Sequence, residues 1–336
     1  SMVNPLVSIL IPFKNVEEYL EECLESIRSQ TYQNWEVLAI NDHSDDNSLA
    51  IAERFSQLDN RFKIFTNTES GIITALRNAY KHSSGEYITR MDADDRMTKD
   101  RIHTMLVSLK EKGEGSLAIG QVKYFAENGV NDGYNRYEKW LNQLTADGTN
   151  FKEIYKECVI PSPCWMVHKT DLDLCGAFLP DRYPEDYDLA FRFYEKGLTC
   201  ISCNKTLHYW RDYDTRTSRT SEHYAQNYFL EIKLHYFLKL EYDPNNTLVV
   251  WGAGKKGKAI AKSLTENNID FKWVCDNPKK IGKDIYGVKL IHYSELKTIE
   301  SPQSIITVAN EEEQMSIKFF FSELKKKPAE DYHFFC

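Results

Sequence analysis

The sequence predicts an α/β protein built on a largely parallel sheet and divided into two parts. Three observations predict it. Short apolar runs of β type alternate with helical periodicities from residue 6 to residue 91. The alternation loosens after Asp95 and restarts near residue 247. Between the two, Glu241-Tyr-Asp-Pro-Asn-Asn246 has the proline and paired asparagines of a linker. The predicted parts are residues 1–243 and 244–336.

The elements follow in order. Residues 6–12 are a continuous apolar run bounded by Pro5 and Pro12, the pattern of a strand buried on both faces. Asn15 stands three residues before Glu18 and predicts a capped helix start, with Leu20, Leu24 and Ile27 at helical spacing behind it. Residues 35–40 form a second strand. Its polar end, Asn41 to Ser48, can cap a helix over 49–58. A short strand over 62–65, a helix over 72–82 and a fourth strand over 86–91 complete the alternation. Further on, the chain predicts a strand over 117–124, a loop-rich stretch over 132–149 and extended segments over 159–168 and 199–209. A helix over 186–196 ends at Gly197, and an amphipathic helix covers 226–240. The second part opens with a strand over 248–251, a glycine turn, a helix over 256–267 and a strand over 271–275.

Composition bounds the function. The chain has 336 residues, 42% of them hydrophobic, so it can bury a real core. A net charge of −8 gives no support for a nucleic-acid partner. No run approaches the ~20 apolar residues of a membrane span. Glu17, Glu18, Glu21 and Glu22 directly after the first apolar run predict no secretory signal there, and Ser1 before Met2 reads as a tag remnant. Eight scattered cysteines then point to free thiols in a reducing compartment, the cytoplasm. Cys200 and Cys203 form a lone C-x-x-C, which without a second pair reads as a strand-end coincidence rather than zinc.

The chemistry gathers at strand ends. The fourth strand delivers Asp92, Asp94 and Asp95 just past its last apolar residue. Ligands of open α/β sheets bind beyond the carboxyl ends of strands. Carboxylate oxygens suit Mg²⁺ or Mn²⁺, with substrate phosphates completing the shell. The alternative is an acidic turn that caps the next helix. Asp42 follows the second strand and Arg77 lies in the third helix. A carboxylate there can accept from a ribose or base, and an arginine can pair with a phosphate. Together these residues describe a nucleotide-diphosphate site; a helix cap at Asp42 and a surface position for Arg77 are the plainer readings.

Taken in order, Val7-Ser-Ile-Leu-Ile-Pro12-Phe-Lys-Asn15, Ser26-Ile-Arg-Ser-Gln30-Thr-Tyr32, Asn41-Asp42-His43-Ser44, Ala75-Leu-Arg77-Asn78 and Asp92-Ala-Asp94-Asp95 resemble an inverting glycosyltransferase of family 2. The resemblance covers about residues 5–215. It implies a GT-A fold, a mixed and mainly parallel sheet flanked by helices. It further implies a nucleotide-sugar donor, usually UDP-linked, contacted at Pro12, Asp42, Arg77 and Asp92, and a divalent metal on Asp92 and Asp94. The family's E-D-x-x-L-x-x-R block reads Glu185-Asp186-Tyr187-Asp188-Leu189-Ala190-Phe191-Arg192 here and makes Asp186 the catalytic base. Without the resemblance, these acids would be read as complementing a helix dipole. Two departures stand out. Asn41 replaces the family's frequent Asp, and Arg211 lacks the histidine that often follows in a Y-R-x-H motif. Arg211, Arg216 and Arg219, with Glu185, are candidates for diphosphate or acceptor contacts. Trp165 is a candidate for stacking on a sugar, with a core role as the alternative.

In the second part, Gly252, Gly254 and Gly257 form a G-x-G-x-x-G turn after a strand, and Asp276 follows about twenty residues on. The pattern predicts a small Rossmann-like unit with a possible second nucleotide site, or one serving only as a docking module. The expected function is extension of a surface polysaccharide on a glycan or lipid-linked acceptor, in the cytoplasm with peripheral contact at the inner membrane face. A nucleotidyltransferase, a non-catalytic nucleotide-sugar binder and a dehydrogenase based on the second part are the alternatives.

Overall fold

The computed structural model describes residues 3–212 and 226–336, with side chains from residue 229 onward in the second stretch. Two compact units account for them. The first comprises residues 1–151 and 159–221, the second residues 152–158 and 222–336.

The first unit carries strands β1 (Val7–Phe13), β2 (Trp35–Asn41), β3 (Phe62–Thr66), β4 (Tyr87–Arg90), β5 (Arg96–Met97), β6 (Ser116–Phe125), β7 (Trp165–His168) and β8 (Thr199–Arg211) in one sheet of order β3-β2-β1-β4-β7-β6-β8-β5. β1 pairs in parallel with β2 and β4, and β2 with β3. β7 then runs antiparallel to both β4 and β6. Helices α1 (Leu20–Arg28), α2 (Ser48–Leu58) and α3 (Ile72–Lys81) connect the parallel half, and α4 (Arg101–Lys112) links β5 to β6. Their apolar faces, such as Leu20, Cys23, Leu24 and Ile27 of α1, bury against the sheet. This explains the unbroken apolar strands: β1 and β2 are covered on both faces, so alternation would leave polar groups in the core. The parallel order also brings three strand ends together. Asp42 N donates to Phe13 O at 2.8 Å, and Leu10 of β1 is in register with Arg90 at the end of β4.

Two local expectations fail for identifiable reasons. Asn15 does not cap α1, which starts at Leu20 behind Tyr19. Asn15 has φ +51°, and its Oδ1 accepts instead from Asp45 N at 2.7 Å. The stretch read as loop-rich is helix α5 (Asp132–Asp147), capped by the Asn131 side chain and ended by Gly148 in the left-handed region. Helices α6 (Lys169–Leu174) and α7 (Glu185–Glu195) complete the unit.

The second unit has helix α8 (Gln226–Leu240), then β9 (Thr247–Trp251), α9 (Lys255–Glu266), β10 (Lys272–Cys275), β11 (Asp284–Ile285), β12 (Val288–His292), β13 (Pro302–Ile306), α10 (Glu311–Glu323) and β14 (Tyr332–Phe334). Its sheet order is β11-β12-β10-β9-β13-β14, with only β11 antiparallel to its neighbour. The sequence places the boundary after residue 243, but α8 packs in this unit. Lys233 of α8 is buried and donates to Lys156 O (3.0 Å) and Phe335 O (2.7 Å). Desolvation lowers its pKa to about 8. Tyr155 stacks on Phe335 at 5.5 Å and meets Phe237 and His333 edge-on. Residues 152–158 thus pack with the second unit. Deleting residues 222–336 strips these partners from Tyr155. The shortened protein is expected to keep one cooperative melting transition and to become cleavable at 152–158, read by limited proteolysis and mass mapping. Resistance equal to the full chain would show that the segment is held by other means.

All eight cysteines are free thiols. Among the described residues, no helix is long and apolar enough to cross a membrane.

Candidate active site

The end of β4 and the turn after it form the centre of the site. Carboxylate oxygens of Asp92, Asp94 and Asp95 lie within 4.8 Å of one another. They are not equivalent. Asp95 is fully buried; its Oδ2 is 2.8 Å from His208 Nε2, and its Oδ1 accepts from Arg211 N at 2.8 Å. His208 is itself buried, and its Nδ1 is 2.8 Å from the Nη1 of Arg101, which has no exposed surface. An arginine N–H can only donate, so His208 Nδ1 accepts and its Nε2 carries the proton given to Asp95. Arg101 Nη2 also donates to Thr89 Oγ1 and Arg90 O, both at 2.9 Å. Asp95 is therefore committed inward, while Asp92 and Asp94 are partly exposed. Two partly exposed hard oxygen donors fit a Mg²⁺ or Mn²⁺ ion that takes its remaining ligands from water and phosphate.

Arg90 links this turn to α7. Its Nη2 donates to Glu185 Oε1 at 3.1 Å, and its Nε lies 3.8 Å from Asp92 Oδ1. Side chains of Arg90 and Glu185 are 7% and 9% exposed, so the pair is shielded from water. The neighbouring Asp186 is half-buried at the start of α7, with Oδ1 accepting from Tyr187 N at 2.9 Å. Burial, then the charge of Glu185, raise the pKa of Asp186 to about 7, with Arg90 opposing. A carboxyl tuned near neutrality suits general-base work. Two residues on, Asp188 does something different. It is 1% exposed and pairs with Arg192 Nε at 2.9 Å, while Arg192 Nη1 holds Cys175 O and Ala177 O. The E-D-x-x-L-x-x-R block thus combines a half-buried acid, Asp186, with a fully buried brace.

The remaining candidates divide by what they touch. Asp42 accepts from Asn67 Nδ2 (2.9 Å) and Gly71 N (3.1 Å), and so ties the strand end to the start of α3. Arg77 donates to Phe178 O at 2.8 Å, to Leu179 O and to Asp181, and so holds the loop that leads to α7. Pro12 is half-buried near the end of β1. Arg211 donates to Asp94 O (2.7 Å) and Glu22 (2.6 Å), bracing the acidic turn from outside. Trp165 is 2% exposed and packs edge-on to Phe193 at 5.7 Å, so it takes the core role. Arg216 and Arg219 lie outside the described residues. Sequence reasoning missed Arg90, Arg101 and His208. A strand that ends in an arginine two residues before an acidic cluster was the available signal.

In the second unit, packing accounts for two of the three glycines of the turn. A Cβ at Gly252 (φ +121°) would lie 2.2 Å from Thr307 Oγ1, and one at Gly257 would lie 2.0 Å from Gly252 O. A Cβ at Gly254 would meet nothing within 4 Å. Asp276 Oδ1 is 3.6 Å from His292 Nε2.

Comparison with known proteins gives the class. The family model described as glycosyl transferase family 2 matches residues 8–175, half of the chain. The chain belongs to that family. Glycosyltransferase GlyA of Streptococcus pneumoniae is 33% identical over 222 residues, 62% of this chain and 31% of GlyA. The chain thus spans about a third of that relative's length. The Escherichia coli protein WfgD, a UDP-Glc:alpha-D-GlcNAc-diphosphoundecaprenol beta-1,3-glucosyltransferase, is 28% identical over 68% of this chain and 92% of its own. The mannosyltransferase PcManGT from Pyrobaculum calidifontis, solved with GDP-Man and Mn²⁺, superposes with a TM-score of 0.51 at 18% identity, covering 71% of this chain and 64% of that one. The first unit has the GT-A fold of such neighbours.

Proposed function

We propose that this chain transfers a sugar from a nucleotide-diphosphate donor to a glycan or lipid-linked acceptor, with inversion at the anomeric carbon. The observation that carries the reading is the Arg90 bridge, which joins Asp92 of the acidic turn to Glu185, the neighbour of Asp186. It supports a division of labour between the two ends. The acceptor oxygen forms its bond to the anomeric carbon while the bond from that carbon to the donor phosphate oxygen breaks. The electron pair leaves with the diphosphate, and the hydroxyl proton passes to Asp186. One base suffices for one displacement. Asp92 and Asp94 would hold Mg²⁺ or Mn²⁺, which supplies neutralisation of the leaving diphosphate.

UDP is the proposed nucleotide, and surface polysaccharide the proposed product, in line with the donor and lipid-linked acceptor in the WfgD name. A lipid-linked acceptor would place the reaction at a membrane surface, on its cytoplasmic side. The second unit is proposed to be Rossmann-like, since its glycine turn follows β9, the strand flanked by β10 and β13 where the order reverses.

Titration of UDP and Mn²⁺ by calorimetry tests the site. The parent is expected to bind UDP in a chelator-sensitive way, and Asp94→Ala to lose at least tenfold, about 1.4 kcal/mol. Equal, chelator-insensitive affinity in the variant removes the metal reading. A panel of UDP- and GDP-sugars then fixes the donor.

A further inference from the structure

The sequence makes Arg211 a candidate for a diphosphate or acceptor contact, but its guanidinium is held from several sides. Its Cζ lies 4.2 Å from the ring centre of Tyr19 and 4.5 Å from that of Phe125. Nε donates to Asp94 O at 2.7 Å and Nη2 to Glu22 Oε2 at 2.6 Å. The side chain is only 14% exposed. A guanidinium stacked on rings and paired with a carboxylate has little freedom to swing toward a ligand. Arg211 also grips the acidic turn through its main chain, since its N donates to Asp95 Oδ1 at 2.8 Å. Glu22 completes the clamp. Its Oε1 accepts from Nη1 of Arg96, the residue that follows the turn, at 3.2 Å. Residues 94, 95 and 96 are thus tied together through Arg211 and Glu22.

The bond to Asp94 falls on the main-chain carbonyl, so it consumes no carboxylate oxygen. It fixes the peptide after Asp94, and with it the direction in which that side chain leaves the chain. Three carboxylates whose oxygens lie within 4.8 Å repel one another. A turn that keeps them together without a cation needs ties of this kind.

We propose that Arg211 is a positioning residue for the divalent cation, holding the Asp94 main chain so that Asp92 and Asp94 present their oxygens together. The inference rests on the metal reading of Asp92 and Asp94 given above. It assigns Arg211 no contact with donor or acceptor. The sign of one substitution decides it. By charge alone, Arg211→Gln removes a positive group beside the carboxylates and should tighten cation binding. By position, it releases the peptide after Asp94 and should weaken binding. Position is expected to win, because Glu22 already offsets the Arg211 charge at 2.6 Å.

Mn²⁺ alone, titrated into the full chain with the free ion read by EPR, tests this. Arg211→Gln is expected to bind Mn²⁺ on the order of tenfold more weakly than the parent, the usual loss when a metal ligand loses its support. Arg211→Lys keeps the charge but not the planar fork, and is expected to lose about fivefold. The Mn²⁺ concentration for half-maximal turnover should rise in step, while the UDP-sugar KM at saturating Mn²⁺ stays within about twofold. Melting in chelator checks the fold of each variant; if Arg211→Gln melts early, Arg211→Lys carries the test alone. Tighter or unchanged Mn²⁺ binding in a folded variant overturns the inference. So does a raised donor KM with Mn²⁺ affinity intact, which would make Arg211 a diphosphate contact. A parent that binds no Mn²⁺ removes the metal reading and this inference together. A parent that binds Mn²⁺ no better than its folded Arg211 variants, but better than Asp94→Ala, removes this inference alone.

Discussion

Asp186→Asn is expected to cut turnover by a factor on the order of 10² or more while leaving UDP-sugar affinity within about twofold. The amide keeps the size of the side chain and its acceptor oxygen for Tyr187 N, and loses only the basic site. The same variant should be more stable than the parent at alkaline pH. Burial and Glu185 raise the Asp186 pKa from 3.8 to about 7. Between those values the folded chain keeps a proton that the unfolded chain has lost. Stability therefore falls as pH rises through that window, and the whole penalty is present above it. Asn has no such penalty, so at pH 8 in chelated buffer it should gain about 1 kcal/mol or more in urea unfolding. If Asp186 is the base, as proposed, the parent's turnover should rise with pH and level off above about 7, because only the ionised carboxylate can take the proton. Lost donor affinity in the variant, with turnover per bound donor unchanged, would make Asp186 a binding residue and place the base elsewhere.

Arg101→Ala is expected to destabilise the first unit by about 3–5 kcal/mol, the usual penalty for stripping one partner from a buried charged network. It removes the donors to His208 Nδ1, Thr89 Oγ1 and Arg90 O together. Asp95 would then share a dry interior with a histidine whose other nitrogen is unheld. Arg101→Lys should recover less than half the loss, because a single ammonium cannot reach three acceptors as a planar fork does. Urea unfolding at pH 7 measures both. A loss under 1 kcal/mol for Arg101→Ala would mean that the network is replaceable by water or by repacking.

The sequence made the parallel half legible because each central strand is one short apolar run with a helix behind it. Residues 6–91 yielded their elements nearly to the residue. Helix α5 was lost among Asn, Asp and Gly133, although Tyr134, Tyr137 and Leu141 recur at helical spacing and Leu141 is buried. The acidic turn was legible from composition and position. The role proposed for Asp186 rests on likeness to a family, since acids at a helix start have an ordinary explanation. The bracing contacts were out of reach, for they join residues far apart in the chain. Arg90 meets Glu185 across 95 positions, Arg101 meets His208 across 107, and Asp95 meets His208 across 113. No local periodicity records such a meeting.

The short segment 152–158 has a consequence for how this architecture can be inherited. The chain leaves the first unit, contributes Tyr155 and the Lys156 carbonyl to the second, and returns before the tail begins. The heritable module is therefore discontinuous. Recombination that exchanged only residues 222–336 for a foreign tail would strand seven residues shaped for a partner that is gone. A viable exchange must carry the loop and the tail together, or swap between close relatives in which both already match. Lineages that reshuffle C-terminal modules freely are expected to lack an aromatic at the position of Tyr155, and those that keep it should keep the tail as well.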